Sequence, residues 1–329
     1  MTGRDGPGLR ARLLAPLGAL RARAAARRMR GDVLWRAPLP VIAVDSLTGE
    51  DDHVAALVTA LAMRLRDRGL SPALLLRGTG GRQAGPLAVD LRAHAAADVG
   101  DAALLAAAFA PTWVAADRVA GARALTAAGA GDCIVMEGGL RDPALHTDLA
   151  ILVVDAARGF GNGRCRPAGP MRAPLGPGLA RADLVVSVGE PAAQAAFAGA
   201  WGARITVPRA TARLVPLRTG MDWRGLRVLA FAGTSDRARF FEALRDLGAT
   251  PVREVTLSDH QPLTRALMTR MLRDAKRLGA QPVTTETDAA RLPADLRPQV
   301  LTLPLRLELS DRGAVEAALD RTGIGGGDA

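Results

Sequence analysis

Short apolar runs rich in β-branched residues alternate with helix-like segments along most of this chain, and this alternation is the strongest constraint on its fold. The runs lie at residues 41–44, 72–76, 112–115, 133–136, 149–155, 183–187, 227–232 and 300–307. Continuous apolar strands are typical of sheets buried on both faces, and strands that alternate with helices form parallel sheets. We therefore predict an α/β fold with a mostly parallel sheet flanked by helices.

The chain is long enough for two domains. Its 329 residues can bury two separate cores. A new series of strands and helices begins near residue 220. We predict a basic amphipathic helix within residues 1–32, a large domain at 33–215, a smaller α/β domain at 216–309 and a C-terminal tail at 310–329.

The charge and composition of the chain limit the classes of partner that it can bind. The formal net charge is +10 at pH 7, and aromatic residues make up 3% of the sequence. The excess of positive charge favours an acidic partner, either a phosphorylated ligand or an anionic membrane surface. The shortage of aromatic residues argues against nucleic acid, because single strands bind by stacking on aromatic rings. No apolar run approaches the ~20 residues of a membrane span, so we expect any membrane contact to be peripheral.

Residues 9–30 have the pattern of a basic amphipathic helix. Leu9, Leu13, Leu17 and Leu20 recur along one side, and arginines occupy much of the remainder. Such a helix can lie in a membrane interface, with its arginines reaching lipid phosphates. It can equally pack on the protein and leave a charged face in water, and the sequence leaves both interpretations open.

The segment from Leu39 to Leu57 has the order strand, loop, helix that commonly binds phosphate groups. The N-terminus of the helix offers free N–H groups and the positive end of the helix dipole. Here the loop contains Glu50, Asp51 and Asp52 and no lysine. Carboxylates repel a phosphate, although they also stabilise a helix N-terminus. The architecture predicts a phosphate site whose charges have the wrong sign.

Two further loops combine glycine with arginine. Residues 77–82 read Arg-Gly-Thr-Gly-Gly-Arg, and residues 158–172 contain four glycines, two prolines and four arginines. Glycine lets the backbone approach an anion closely, and guanidinium groups bind it. A long loop inside a compact domain is usually functional. We therefore expect both loops to lie near a bound anion.

Together these motifs resemble the tetraacyldisaccharide 4'-kinase family of lipid A biosynthesis, from about Leu13 to about Leu307. The most specific match is to the family's GFGNG…PAGPLRE run, and residues 153–172 here read VVDAARGFGNGRCRPAGPMR. Shorter matches occur along the rest of the chain at Arg77–Gly81, Val99–Asp101, Ala230–Gly233, Asp259–His260 and Thr285–Asp288.

The resemblance implies a fold, a reaction and a location. The fold would be a P-loop-NTPase-like domain with a smaller α/β domain that closes over the nucleotide. ATP and Mg²⁺ would be the cofactors and the lipid A disaccharide precursor the acceptor. The protein would lie on the cytoplasmic face of the inner membrane, with its N-terminal helix touching the membrane surface.

The resemblance also implies roles for individual residues. Asp101 and His260 match the pair that activates the sugar 4'-hydroxyl, in which a carboxylate orients the imidazole that accepts the proton. The candidate residues for binding substrate or phosphate are Arg77, Asn162 and Arg172, and the candidate metal ligand is Glu137. The nucleotide-loop position comprises Thr48, Gly49, Glu50, Asp51, Asp52, His53, Val54 and Ala55.

The chain departs from the family pattern at the positions that bind the nucleotide and the metal ion. An ungapped alignment puts Val54 at the position of the loop lysine and Ala55 at that of the magnesium-binding threonine. Gly138 replaces the second of two paired carboxylates, of which Glu137 is the first. Loss of one comparable electrostatic group lowers a catalytic rate on the order of 100- to 1000-fold.

Two hypotheses follow. The first is an ATP-dependent kinase of the 4'-hydroxyl, weakened by the missing lysine and threonine. The second is a catalytically inactive family member that binds the lipid precursor or the membrane as a regulatory or vestigial protein. The family resemblance favours the first hypothesis, and the chemistry of the loop favours the second.

Overall fold

The computed structural model describes residues 9–49, 51–234, 237–258 and 261–324. Glu50 and His260, both named above as site residues, lie outside these ranges. The strands are β1 (Val41–Ser46), β2 (Pro72–Leu76), β3 (Leu87–Ala88), β4 (Thr112–Val114), β5 (Cys133–Glu137), β6 (Leu149–Asp155), β7 (Leu184–Val188), β8 (Arg209–Pro216), β9 (Arg227–Ala232), β10 (Thr250–Thr256), β11 (Gln281–Thr285), β12 (Leu301–Leu303) and β13 (Leu305–Leu309).

Helices connect most of these strands. They are α1 (Leu9–Leu13), α2 (Ala15–Met29), α3 (Asp51–Asp67), α4 (Ala96–Val99), α5 (Asp101–Ala106), α6 (Arg118–Ala127), α7 (Leu175–Leu179), α8 (Pro191–Trp201), α9 (Arg237–Asp246), α10 (Arg265–Arg277), α11 (Glu286–Ala290) and α12 (Gly313–Arg321). Single 3₁₀ turns occur at Gly202–Arg204 and Arg297–Gln299.

The strands form two sheets. Within the described residues the larger sheet has the order β13-β8-β7-β6-β1-β5-β2-β4-β3, and the smaller has the order β10-β9-β11-β12. The smaller sheet is parallel, and the larger one is parallel apart from the β8–β13 and β3–β4 pairs near its edges. This architecture confirms the predicted α/β fold. We call residues 217–304 the small domain and the remainder the large domain.

Helices cover both faces of the larger sheet, because each carries an apolar stripe at helical spacing. On one face, α3, α5 and α12 bury Leu57, Ala103 and Leu319. On the other face, α6 and α8 bury Leu125 and Phe197. Full burial of one such leucine stabilises the fold by roughly 2 kcal/mol. The sandwich between helices holds β1 rigidly in the middle of the sheet, with β5 and β6 as its neighbours.

The small domain repeats this arrangement on a smaller scale. Phe240 and Leu244 of α9 pack on one face of its sheet. Met268 and Met271 of α10 pack on the other face. The buried clusters of the small domain share no residue with those of the large domain.

The structure differs from the tail expected at residues 310–329. After the small domain the chain returns to the large sheet, where β13 pairs with β8. Helix α12 then packs through Val315 and Leu319 into the large core, and Arg68 Nη1 lies 3.3 Å from Glu316 Oε2. This helix forms because Val315, Ala318 and Leu319 make an apolar stripe at helical spacing. The glycines that follow it had suggested an unstructured tail.

The expected helix at residues 9–30 is present as α1 and α2, which meet at Leu14. Pro16 lies in the first turn of α2, where a missing N–H is tolerated. Gly18 packs α2 closely on the long basic loop, since a Cβ atom there would lie 2.8 Å from the carbonyl oxygen of Cys165. Over the described ranges, no helix has both the length and the hydropathy to cross a bilayer.

Candidate functional site

A cavity of about 520 Å³ lies between the two domains, at the carboxyl ends of the parallel strands, which is where α/β sheets usually bind ligands. Polar side chains from four segments of the large domain line one side of it: Asp52, His53, Thr79, Asp101 and Glu137. Apolar side chains line much of the remainder, among them Met63, Leu105, Phe109, Leu217 and Leu305. The small domain contributes Thr234, Thr285 and Glu286. Charged side chains line it as well, among them Arg64, Asp67, Arg306 and Glu308.

The nucleotide-loop position is held by the Ser46 hydroxyl at the end of β1. Its Oγ accepts the backbone N–H groups of Thr48 and Gly49, both at 3.2 Å, and lies 3.3 Å from Thr48 Oγ1. Helix α3 begins at Asp51. Two N–H groups that could point towards an anion are thus bonded inside the loop, which makes it a poorer phosphate cradle than a glycine-rich one.

The two key positions of this loop face opposite ways. Val54, at the position of the lysine, is 3% exposed and belongs to the core beside Leu57. Ala55, at the position of the threonine, lines the cavity with its methyl group. Neither residue can bind a phosphate or a metal ion, because neither side chain has a polar atom.

Arg172 nevertheless brings a positive charge to the loop. Its guanidinium packs against Gly49, where a Cβ atom would lie 2.8 Å from Nη2. Its backbone N–H donates to the carbonyl of Leu47 at 2.6 Å. Glycine suits position 49 for two reasons. Its φ of +104° disfavours other residues, and its missing side chain makes room for Arg172.

Asp101 stands at the first position of α5, where its carboxylate lines the cavity. The side chain is 8% exposed, and its Oδ2 lies 3.4 Å from Arg291 Nε of the small domain. Its Oδ1 accepts the N–H of Ala102 at 2.8 Å. The glycine-rich loop after β2 sets its place, since a Cβ atom on Gly81 would lie 2.6 Å from the backbone nitrogen of Gly100. Those glycines pack against the turn that carries Asp101.

Glu137 ends β5 in the same cavity. Its Oε2 accepts the backbone N–H of Arg77 at 3.1 Å, while the Arg77 side chain is exposed. The buried Arg118 guanidinium lies beside the next residue, where a Cβ atom on Gly138 would be 2.7 Å from its Nη2. Burial lowers the pKa of Arg118 from its usual value, and the negative charge of Glu137 acts in the opposite direction.

The donor set suits a shared magnesium ion better than a resident one. In the part of the chain that the structure describes, no group of three or more His, Cys, Asp or Glu side chains could hold a metal. Mg²⁺ typically takes one or two protein carboxylates and completes its shell with water and substrate phosphates. The single carboxylate of Glu137 fits that requirement, provided that a nucleotide supplies the other oxygens.

Asn162 lies in the long basic loop and bonds to that loop. Its Nδ2 donates to the carbonyl of Ala168 at 2.9 Å, and its Oδ1 accepts the N–H of Arg164 at 3.1 Å. In this arrangement the amide shapes the loop that ends at Arg172. Of the predicted site residues, the structure brings Asp52, His53, Ala55, Asp101 and Glu137 into one cavity, whereas Arg77, Asn162 and Arg172 are not among its lining residues.

Sequence reasoning missed Arg118 and Arg291. Arg118 follows the helix cap Asp117, which predicts a helix start and nothing about Glu137. Arg291 stands three residues after Asp288, a spacing that predicts a local ion pair. Its approach to Asp101 joins positions 190 residues apart, and no local pattern signals such a contact.

The chain is similar to known proteins over nearly its whole length. The family model described as "LpxK: Tetraacyldisaccharide-1-P 4'-kinase" matches residues 10–323. The tetraacyldisaccharide 4'-kinase of Dinoroseobacter shibae is 53% identical over 317 residues, which cover 96% of this chain and 94% of that protein. The protein of that name from Jannaschia sp. is 50% identical over 314 residues, covering 95% of each.

A solved structure shows the same fold. It is the crystal structure of the "apo" form of LpxK from Aquifex aeolicus in complex with ATP, with a TM-score of 0.71 and 20% identity. The match covers 95% of this chain and 99% of that one. Because the family model and the two relatives span nearly the whole chain, they confirm the predicted family. The chain belongs to the tetraacyldisaccharide 4'-kinase family.

Proposed function

We propose that this protein transfers a phosphoryl group from ATP to the 4'-hydroxyl of the lipid A disaccharide precursor, and that Arg172 supplies the positive charge that its loop lacks. The observation that carries the proposal is the guanidinium of Arg172 against Gly49. It places a cation at the loop where the aligned position, Val54, is apolar and buried. An arginine binds phosphate through two parallel hydrogen bonds.

The remaining residues of the cavity suit phosphoryl transfer, which depends on positioning and on neutralising charge. Asp101 faces the cavity and is suited to orient the group that accepts the proton of the sugar hydroxyl. His260, which lies outside the described residues, matches the family position for that group. Glu137 would hold Mg²⁺, and the ion would neutralise charge on the phosphate oxygens.

The same loop predicts slow catalysis. Asp52 lines the cavity beside the loop. A carboxylate about 4 Å from a phosphate charge is unfavourable by roughly 4 kcal/mol at an effective dielectric constant near 20. The backbone N–H groups of Thr48 and Gly49 already bond to Ser46. We therefore expect lower affinity for ATP and slower turnover than a lysine-containing loop would give.

The cavity has apolar side chains that support an acylated acceptor. Met63 and Phe109 line it together with leucines of the large domain and of the connection between domains. Apolar surface of this kind gains free energy when it is covered by hydrocarbon, at about 25 cal/mol per Å². A free sugar would leave that surface in contact with water.

The direct test is phosphate transfer by the purified full-length chain. With tetraacyldisaccharide 1-phosphate in detergent micelles and γ-labelled ATP, we expect Mg²⁺-dependent transfer of label to the lipid. The control is the Asp101→Asn protein purified in parallel, which corrects for contaminating kinase. Transfer no faster than in that control would refute the proposed activity.

A second function, lipid binding without catalysis, is favoured by Val54 and Ala55. A strain depleted of its own 4'-kinase distinguishes the two, since rescue by this chain requires catalysis. Ala55→Thr is a suitable companion variant, because Ala55 faces the cavity. Val54→Lys is unsuitable, because it would bury an unpaired charge in the core at a cost of about 3 kcal/mol or more.

We further propose that α1 and α2 attach the protein peripherally to the cytoplasmic face of the inner membrane. The support is a set of exposed leucines, with Leu13 at 71%, Leu17 at 55% and Leu20 at 64% exposure. Gly18 packs against the basic loop, which turns these leucines outward. Arginines on both helices would meet lipid phosphates.

Vesicle binding tests this attachment. We expect the Leu13→Gln/Leu17→Gln/Leu20→Gln protein to bind anionic vesicles on the order of 100-fold more weakly, since partial insertion at about 1 kcal/mol per leucine gives about 3 kcal/mol. Cosedimentation with phosphatidylglycerol vesicles measures the effect. Leu91→Gln is the matched control, because Leu91 is exposed (52%) but lies outside these helices. Equal weakening by the control variant would contradict the proposal.

A further inference from the structure

Arg291 stands between two buried carboxylates that belong to different domains. Its Nε lies 3.4 Å from Oδ2 of Asp101 in the large domain. Its Nη2 donates to Oδ1 of Asp288 in the small domain. The Arg291 side chain is 14% exposed, that of Asp101 8% and that of Asp288 1%. At such burial, opposite charges interact strongly and an unpaired charge is costly.

The Asp288 end of this link is fixed firmly. Its Oδ2 accepts the N–H of Gly233 and the hydroxyl of Thr285, both at 2.9 Å. Its backbone N–H donates to Thr285 Oγ1 at 3.1 Å. These bonds hold Asp288, and through it Arg291, to the carboxyl ends of β9 and β11. The guanidinium therefore has a defined position in the small domain.

Arg291 approaches Asp101 from outside the cavity. Asp101 lines the cavity, whereas neither Arg291 nor Asp288 is among its lining residues. Oδ2 of the Asp101 carboxylate forms an ion pair with Arg291, and its Oδ1 accepts the Ala102 N–H. The carboxylate faces the cavity, while the Arg291 that pairs with it lies outside the cavity lining.

We propose that Arg291 is a positioning residue that orients Asp101 for catalysis when the small domain is docked on α5, an assignment that rests on the kinase function proposed above. Arg291 belongs to the small domain, so the contact exists only while that domain lies against the large one. Correct orientation of the carboxylate is then coupled to the closed arrangement of the cleft. Displacement of a catalytic group by about 1 Å can lower a rate on the order of 100-fold.

The test compares kcat and KM of full-length variants. We expect Arg291→Gln to lower kcat on the order of 100-fold while KM for ATP and for lipid stays nearly unchanged, and Arg291→Lys to recover part of the loss. In an Asp101→Asn background, Arg291→Gln should reduce kcat no further, because both changes remove one function. A wild-type kcat in Arg291→Gln would overturn the inference. So would a double variant whose loss of kcat equals the product of the two single losses.

Arg239→Gln is the matched control for a merely structural role. Arg239 is as buried as Arg291, at 15% exposure, and its Nε lies 3.1 Å from Glu190 Oε1 across the same domain interface. It lies away from Asp101, bonding to Leu214 and Asp246. We expect it to lower the melting temperature and to leave kcat unchanged. An equal loss of kcat in this control would overturn the specific role of Arg291.

Thermal unfolding of the same proteins separates the two proposals. The Asp101→Asn and Arg291→Gln changes should lower the melting temperature less than additively when combined, whether or not phosphate is transferred. If the wild type transfers no phosphate but the two changes are still less than additive, the kinase function is refuted. Arg291 is then a structural link, and its positioning role is overturned as well. An active wild type with additive changes would overturn the positioning role alone.

Discussion

The Asp101→Asn protein is expected to phosphorylate the lipid precursor about 100- to 10,000-fold more slowly than the wild type, the range typical of lost acid–base catalysis. Asparagine keeps the shape of the side chain and its bond to the Ala102 N–H. It removes the negative charge that would stabilise a protonated imidazole. The loss should therefore appear in kcat, with KM for ATP little changed, in a steady-state assay with both substrates varied.

The fold of this variant needs a separate measurement. Loss of the charge leaves Arg291 with the Asp288 carboxylate as a partner, so we expect a modest fall in melting temperature and a cooperative transition. Asp98→Asn is a suitable control, because Asp98 lies three residues earlier at the same turn and pairs with the exposed Arg82. A wild-type rate in Asp101→Asn would remove this carboxylate from the mechanism.

The second large effect is expected at Arg172. Arg172→Gln should lower kcat/KM for ATP on the order of 100- to 1000-fold, as does loss of other preorganised groups that stabilise transferring charge. In a typical family loop a lysine would share this task, but here the aligned position is the buried Val54. Losing the arginine should therefore remove the positive charge that packs against Gly49.

ATP binding can be followed without turnover. We expect ATP with Mg²⁺ to raise the melting temperature of the wild type, and Arg172→Gln to abolish most of that increase, since a ligand that binds the native state stabilises it by mass action. Arg166→Gln is the control, because Arg166 is an exposed arginine of the same loop. An unchanged increase in Arg172→Gln would show that the guanidinium does not bind the nucleotide.

The fold was largely predictable because the periodicity of apolar residues indicates which faces are buried. The prediction fails where a single apolar run contributes strands to two sheets. The apolar run at residues 300–307 predicts a single strand. Pro304 divides it, so that β12 belongs to the small sheet and β13 to the large one. Proline lacks the N–H that a continuous ladder would require. The sequence contains the break, but the change of sheet depends on long-range packing.

The site was predictable to the extent that its motifs are local. A glycine at position 49 indicates that some group packs closely there, but it does not identify the group. That group is Arg172, 123 positions later in the chain. Val54 could be identified as a replaced lysine, but its direction into the core required the packing of α3. Arg291 could be paired with Asp288 from spacing alone, whereas its contact with Asp101 depends on how two domains meet.

The return of β13 and α12 to the large sheet has a consequence for biosynthesis. Domains commonly fold in order as they leave the ribosome, N-terminal first. Here the edge strand that pairs with β8 and the helix whose Glu316 pairs with Arg68 follow the small domain in the chain. The large domain therefore lacks this strand and this helix while the small domain is being translated. The cleft between them can be completed only after β13 has also been translated, because Leu305 and Leu307 of that strand line it.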